Sequence, residues 1–204
     1  MMKKIQFKTI FKTKIADTIT PVGLYLRFRD KYANTLLLES SDYHSKEESY
    51  SFICIEPLIT IQAKNHCLSF SHKDVELANE KIGKNFNTIF EKYSKNISLD
   101  CPDELKSFNG LYGYTTYDSV QYFENIVLNV KEAPSAIPLL QYSFYRFIIA
   151  INHFNDEMML IENIELGQES RIQEIQKIID AQAFNTQKFE TVDEETSNCT
   201  NEDF

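Results

Sequence analysis

The residues best suited to bind a small molecule lie where an apolar segment ends in polar side chains. Leu38 is the last residue of an apolar run, Glu39 and Ser40 follow it at once, and a second apolar segment begins at Tyr50. A strand that ends in a carboxylate and a hydroxyl is typical of the mouth of a ligand pocket. Glu39 could hold an ammonium group, Ser40 could bond an ammonium or a carboxylate, and Tyr50 could form a wall. An alternative that suits the residues equally well is that Glu39 and Ser40 satisfy backbone groups of a turn.

A second candidate segment spans residues 110–124 and combines glycine with aromatic side chains. Gly110 and Gly113 are two of only five glycines in the chain, and glycine in a strand-like run indicates close approach of another backbone or of a ligand. For the aromatic side chains, packing in the core is favoured over ligand binding. Asp118 could cap a helix running from about residue 119 to 124. The aromatic residues are Tyr112, Tyr114, Tyr117, Tyr122 and Phe123.

No set of residues in the chain matches a common catalytic or metal-binding motif. The sequence has no GxSxG, HExxH, phosphate-loop or GxGxxG motif. Its four cysteines form no CxxC pair and have no histidine at ligand spacing, which argues against zinc. The four histidines lie at or near predicted turns and strand ends, where exposure to solvent is favoured. We therefore predict no catalytic residue and no metal ligand in this chain.

Composition limits the partners and the compartment. The chain has 204 residues, a net charge of −9 and 43% apolar residues. An acidic chain without a basic stripe is a poor ligand for nucleic acid. No apolar run reaches the roughly 18 residues needed to cross a membrane, and the start lacks a secretory segment. We expect a cytoplasmic, reducing environment.

Hydrophobic periodicity predicts an α+β fold, with a mainly antiparallel sheet and a few covering helices. Pro57 predicts a break, bulge or edge within its strand. One domain is expected over residues 1–182, followed by an acidic linker or tail over 183–204. The predicted strands cover residues 3–11, 34–40, 49–63, 67–72, 139–152 and 157–164, and the predicted helices cover 20–32, 78–93 and 170–184.

Three segments resemble, in order and spacing, the N-terminal region of anthranilate synthase component I. The first is Leu-Leu-Leu-Glu-Ser at 36–40, followed after a loop by Tyr-Ser-Phe-Ile at 50–53. The second runs from Gly110 to Glu124 and is similar to the family's GxxGYxxYDxVxxFE stretch. The third, at 137–163, is similar to the hairpin that closes that region. The resemblance covers roughly residues 3–182.

The resemblance implies a function that the residues alone do not reveal. Enzymes of this family make anthranilate and pyruvate from chorismate and ammonia, use magnesium, and receive the ammonia from a glutamine amidotransferase subunit. L-tryptophan inhibits them from a pocket that would involve Leu38, Glu39, Ser40 and Tyr50 here, with Ser40 in direct contact. Tyr50 occupies a position where some members carry lysine.

The same resemblance implies that part of the enzyme lies outside this chain. A C-terminal chorismate-binding domain holds chorismate and magnesium in the family, and it completes the tryptophan pocket. The chain stops at an acidic segment where the family continues, so we expect a fragment or a split gene that is not catalytic alone.

Two other functions stay open at this point. One is the similar N-terminal part of aminodeoxychorismate synthase component I. The other is a stand-alone small-molecule-binding or interaction module with no catalytic parent. The neighbouring coding sequence would separate the interaction module from the two enzymes. Anthranilate synthase and aminodeoxychorismate synthase both require a chorismate-binding domain, whereas the module does not.

Overall fold

The computed structural model describes residues 4–40, 49–124, 126 and 137–181. Within these residues the chain forms one nine-stranded sheet and three α-helices. The strands are β1 (Ile5–Ile15), β2 (Leu36–Glu39), β3 (Tyr50–Lys64), β4 (Cys67–His72), β5 (Val75–Lys81), β6 (Ile97–Asp100), β7 (Leu111–Thr115), β8 (Leu140–Asn152) and β9 (Glu157–Glu165). The helices are α1 (Pro21–Arg29), α2 (Phe86–Ser94) and α3 (Ile172–Asp180).

The two longest strands, β3 and β8, form the centre of the sheet as an antiparallel pair. Opposite ends of β3 pair on their other edge with β2 and β4, and β8 pairs in the same way with β9 and β7. β1 extends the sheet beyond β9, and β6 adds to β1 in parallel. The α+β prediction with a mainly antiparallel sheet is therefore confirmed.

The start of α1 follows directly from local sequence. The Thr20 side chain accepts a hydrogen bond from the backbone N–H of Gly23 at 3.1 Å, and Pro21 occupies the first helical position. Both are favourable N-terminal signals, because the hydroxyl satisfies an unpaired N–H and proline needs none. Leu24 and Phe28, four residues apart, are fully buried against the sheet. The helix predicted for this segment is confirmed.

The helix predicted over 78–93 is wrong in its first part. Residues 78–81 belong to β5, and α2 begins only at Phe86. Lys73 and Asp74 have positive φ angles of 49° and 65°, which suits a tight turn between antiparallel strands. β5 pairs with β4 through that turn. Ile82 stands at helical spacing from Phe86, which suggested a longer helix. Pairing of residues 78–81 with β4 outweighs that spacing.

The aromatic segment after β7 also differs from its prediction. A 3-10 helix over Tyr117–Tyr122 begins after Thr116, and no side chain caps it. Asp118 lies inside this turn and its backbone carbonyl accepts from Gln121, so the predicted Asp118 cap is wrong. Tyr117 is 82% exposed, whereas Tyr122 is 9% exposed. Packing in the core, which was favoured for the aromatic residues of 110–124, is therefore confirmed for Tyr122 but not for Tyr117.

A register shift in β3 distributes its apolar side chains between two clusters. Ile53 and Ile55 pack with α1 and α3, whereas Ile59 and Ile61 pack with α2. The pairing with β8 shifts between Pro57 and Ile59. A bulge adds one residue to one strand and so changes which residues face each side. The break predicted at Pro57 is confirmed.

The C-terminal helix closes one side of the sheet. The helix predicted over 170–184 is confirmed as α3, and its residues Ile172, Ile175 and Ile179 are all buried. Spacing of three and four residues places them on one helical face. The acidic segment predicted at 183–204 lies outside the described residues.

Candidate functional site

The predicted ligand-binding residues lie where β2 ends beside the start of β3. Leu38 pairs with Phe52, and Glu39 pairs with Ser51. Leu38 is half-buried, whereas Glu39 and Ser40 are exposed. Directly opposed residues share a face and successive residues alternate, so Leu38 and Glu39 belong to opposite faces. A ligand touching both would therefore lie beyond the end of β2 rather than on either face.

Four half-buried rings, which we call the aromatic patch, adjoin this strand end. They lie on the face that Leu38 shares with Phe52. Their ring centroids are 5.0–6.4 Å apart in tilted, stacked and edge-on contacts. Such spacings are those of favourable aromatic pairs. The patch consists of Tyr50, Phe52, Phe108 and Tyr112.

Tyr50, the fourth predicted site residue, links the patch to β8. Its ring centroid lies 5.0 Å from that of Phe108, and its hydroxyl accepts a hydrogen bond from Asn152 at 3.0 Å. Ser51, the next residue, is fully buried, and its Oγ lies 2.7 Å from Nε2 of His153. These contacts hold the start of β3 against the end of β8. They hold Tyr50 in place beside the end of β2.

Gly113 allows β7 to lie close to β8, and this places Tyr112 in the aromatic patch. A Cβ at Gly113 would lie 1.9 Å from the backbone carbonyl oxygen of Gln141. β7 can approach β8 closely only without that carbon, which confirms the predicted close approach of another backbone at this position. At Gly110 a Cβ would meet nothing within 4 Å. Burial raises the pKa of the Tyr112 phenol, which stays neutral and donates to the carbonyl of Phe108 at 2.5 Å.

The sequence interpretation missed a buried ionic cluster beneath α3. Arg146 is 5% exposed and Glu162 is fully buried, and Nε of Arg146 donates to Oε1 of Glu162 at 3.0 Å. The same carboxylate accepts from the hydroxyl of Ser170 at 2.6 Å and from the backbone N–H of Arg171 at 2.8 Å. Arg171 in turn bonds Glu56 at 2.8 Å. The sequence did contain a signal for this cluster, because Arg146 and Glu162 are charged residues within the apolar parts of two predicted strands.

The geometry of this cluster indicates a structural role. Glu162 satisfies the N–H at the start of α3, where no side chain of the helix itself makes a cap. A carboxylate at a helix N-terminus is stabilised by the helix dipole. The guanidinium of Arg146 is also bonded by Gln168 and by the carbonyl of Glu169. With its main groups partnered, the cluster anchors α3 and offers little to a ligand.

A second buried polar group joins the loop before β7 to the sheet. Asn109 and Asn163 donate to each other's amide oxygens at 2.8 and 2.9 Å. Thr9 donates to Asn163 at 2.8 Å. Buried amides paired in this way are satisfied. They position the loop that carries Phe108.

Within the described residues, no group of three or more His, Cys, Asp or Glu side chains could hold a metal ion. No helix in this part of the chain has the length and apolar character to cross a membrane.

The sheet, its helices and the strand-end site define an α+β domain whose candidate ligand site borders an aromatic patch. No protein-family model matches the chain. It is 24% identical over 176 residues to anthranilate synthase component 1 of Acinetobacter calcoaceticus, covering 84% of this chain and 35% of that protein. The corresponding protein of Bacillus caldotenax is 27% identical over 176 residues, covering 84% and 34%.

Among solved structures, anthranilate synthase component I from Streptococcus pneumoniae TIGR4 has a TM-score of 0.47 and 17% identity, covering 82% of this chain and 36% of that one. The chain spans about a third of the length of the curated relatives it matches. Over about four-fifths of its own length it is similar to an N-terminal region of anthranilate synthase component I. The resemblance drawn from the three motifs is confirmed.

Proposed function

We propose that this chain is the regulatory part of an anthranilate synthase component I and binds L-tryptophan at the end of β2. The relatives support a part of that enzyme. The observation that carries the binding proposal is the exposed pair Glu39 and Ser40 at a strand end that adjoins the aromatic patch. A site of this kind combines a few polar groups with apolar walls, as small-molecule sites do.

Each part of the amino acid has a matching group at the strand end. The Glu39 carboxylate would bond the ligand's ammonium, and the hydroxyl of Ser40 would bond its ammonium or carboxylate. The indole would lie against Leu38 and Tyr50, which share the face of the aromatic patch. Indole rings gain from offset or edge-on contact with other aromatic rings.

The reaction of the whole enzyme is part of the proposal. Chorismate and ammonia would be converted to anthranilate and pyruvate in a cytoplasmic complex with a glutamine amidotransferase subunit. Magnesium and chorismate would be held by a C-terminal chorismate-binding domain, as the resemblance to the family implies. Tryptophan would inhibit by favouring one arrangement of the two domains, which requires different affinities for the two arrangements.

Ligand fluorescence tests the binding proposal directly. The chain contains 11 tyrosines and no tryptophan, so emission excited at the red edge of tyrosine absorption comes from added L-tryptophan alone. We expect its anisotropy to rise saturably as the chain is titrated in, and L-phenylalanine to compete weakly because it lacks the indole ring. No rise in anisotropy would contradict the proposal.

A matched pair of variants locates the site. Ser40→Tyr should abolish the rise in anisotropy, because a ring at the strand end would occupy the ligand's place. Ser107→Tyr adds the same ring at another exposed serine and should leave binding unchanged. Equal behaviour of the two variants would place the ligand elsewhere.

Anthranilate fluorescence tests the proposed division of labour. The chain mixed with chorismate, ammonium and magnesium should release no anthranilate. Turnover by the purified chain would show that it carries a catalytic site of its own.

A further inference from the structure

The turn after β8 brings a histidine to the end of the sheet where β2 stops. The backbone N–H of His153 donates to the carbonyl of Ser49 at 2.9 Å, which ties this turn to the residue before β3. The imidazole reaches over β3, because its Nε2 lies 2.7 Å from Oγ of Ser51. His153 is exposed, so a ligand bound at this end of the sheet can reach it.

Strand register places this imidazole near the carboxylate of Glu39. Glu39 and Ser51 are directly opposed in the ladder between β2 and β3. Directly opposed residues share a face, and their Cβ atoms are about 4.5–5.5 Å apart. The Glu39 side chain and the imidazole of His153 therefore lie on the same face of the sheet, on either side of one serine.

The burial of Ser51 fixes which nitrogen of the imidazole carries the proton. Ser51 is fully buried, and Nε2 of His153 is the only hydrogen-bond partner of its hydroxyl within the described residues. A buried O–H without an acceptor is costly, so the serine donates its hydrogen to Nε2. A neutral imidazole that accepts at one nitrogen carries its proton on the other. Nδ1 is therefore the N–H donor of this ring.

A donor close to Glu39 is what an amino acid needs at this place. Glu39 suits the ammonium of the ligand but repels its carboxylate. Both groups are attached to one carbon atom, so the partner of the carboxylate must stand near Glu39 and must donate. No lysine or arginine occurs in β2, in β3 before Glu56 or in β8 after Arg146. Nδ1–H of His153 meets both conditions.

We infer that Nδ1–H of His153 donates to the carboxylate of the bound amino acid, and that Ser51 is a positioning residue that fixes the tautomer of the ring. The inference rests on the tryptophan site proposed above and defines the ligand class of that site more closely. Its ligands are amino acids with both a free ammonium and a free carboxylate. Amides and amines that carry the same indole bind more weakly.

L-tryptophan and L-tryptophanamide test the contact, because they share the indole and the ammonium and differ only at the carboxylate. The fluorescence anisotropy of each ligand is measured as the full chain is titrated in. His153→Ala should weaken L-tryptophan binding at least about tenfold and leave L-tryptophanamide binding nearly unchanged. Equal weakening of the two ligands would mean that His153 only joins the strands, and would overturn the inference.

Two control variants separate this contact from the rest of the site. His66→Ala removes an exposed histidine from the turn between β3 and β4 and should change neither affinity. Glu39→Gln should weaken both ligands alike, because both carry the ammonium. If the unmutated chain binds neither ligand, the tryptophan site is refuted together with this inference. If His153→Ala binds L-tryptophan as the unmutated chain does, only this inference is overturned.

The tautomer can be measured without any ligand. In long-range proton–nitrogen NMR of the isotopically labelled chain, at a pH where the ring is neutral, the proton of His153 should be found on Nδ1. Ser51→Ala should shift the proton towards Nε2 and reduce the preference for L-tryptophan over its amide. A proton on Nε2 in the unmutated chain would refute the role assigned to Ser51 and with it the proposed donor.

Discussion

Two glutamates of this sheet have the same carboxylate and opposite surroundings. Glu162 is fully buried beneath α3 and accepts hydrogen bonds from Arg146, Ser170 and the backbone of Arg171. Glu39 is exposed at the end of β2, and its carboxylate has no hydrogen-bond partner among the residues that the structure describes. A buried charge is tolerated only when partners surround it. An exposed carboxylate stays accessible to a ligand.

The surroundings of Glu162 and Glu39 differ in the same way as the two carboxylates do. The ionic cluster beneath α3 joins two strands, a bulge and a helix into one network, and Glu56 belongs to it at the register shift of β3. The aromatic patch beside β2 is half-buried and held by ring contacts and by the hydrogen bonds of two phenol hydroxyls. The first region should therefore respond to mutation through stability and the second through binding.

The largest expected effect is on the buried cluster. Glu162→Ala should lower the free energy of unfolding by about 3–5 kcal/mol, because Arg146 would remain buried with only the more distant carboxylate of Glu56, at 3.7 Å, as counter-charge. Urea denaturation measures the change. The control is Glu91→Ala, which removes an exposed partner of Lys95 and should leave stability nearly unchanged. Similar losses in the two variants would remove the basis of the comparison.

The next effect concerns the strand that carries Tyr112. Gly113→Ala should cost about 1–3 kcal/mol, because the added carbon would clash with the backbone at Gln141. Near-ultraviolet circular dichroism should change as well, since β7 must move away from β8. Gly110→Ala, with open space around it, should fold normally. If both variants behave alike, close approach of β7 and β8 does not hold the aromatic patch.

A smaller effect is expected from pH. Hydrogen bonds from Arg171 and Tyr32 lower the pKa of Glu174 from 4.5 to about 2. The folded state thus favours the ionised carboxylate, so this contribution is present above pH 4.5 and is lost as the pH falls towards 2. The residue is about half exposed, and screening keeps the contribution small. Glu174→Gln should flatten the acid limb of stability against pH, whereas Glu104→Gln at another exposed position should not.

The smallest effect on folding is expected at the strand end. Glu39→Gln should leave the urea midpoint unchanged and weaken L-tryptophan binding about tenfold, because it removes a charge-assisted bond to the ammonium. Fluorescence anisotropy measures the affinity. A loss of stability with unchanged affinity would mean that Glu39 serves the turn, the alternative that its sequence also allows.

Local signals in the sequence account for much of the fold. The helices predicted over 20–32 and 170–184 and the strands predicted over 139–152 and 157–164 depend on neighbouring residues, and they are confirmed. The helix expected from residue 78 was wrong because β5 pairs with β4. The spacing of apolar side chains along the chain carries no information about that pairing. Asp118 was misplaced as a cap because the 3-10 helix begins at Tyr117.

One part of the candidate site could be predicted from local sequence and the other part could not. The motif at the end of β2 could be read along the chain, because a change from apolar to polar residues is a local signal. The aromatic patch could not, because Phe52 and Phe108 are 56 positions apart and meet only through the sheet.

The sequence by itself determined the strands and helices other than β5, β6 and β7, where β3 breaks and where a polar strand end follows an apolar run. These features depend on backbone preferences and on alternation within a few residues. Only the tertiary structure decided that Arg146 meets Glu162, that β7 lies against β8 at Gly113, and that Leu38 and Glu39 belong to opposite faces. Strand register and helix docking set those contacts, and both depend on the packing of the whole sheet.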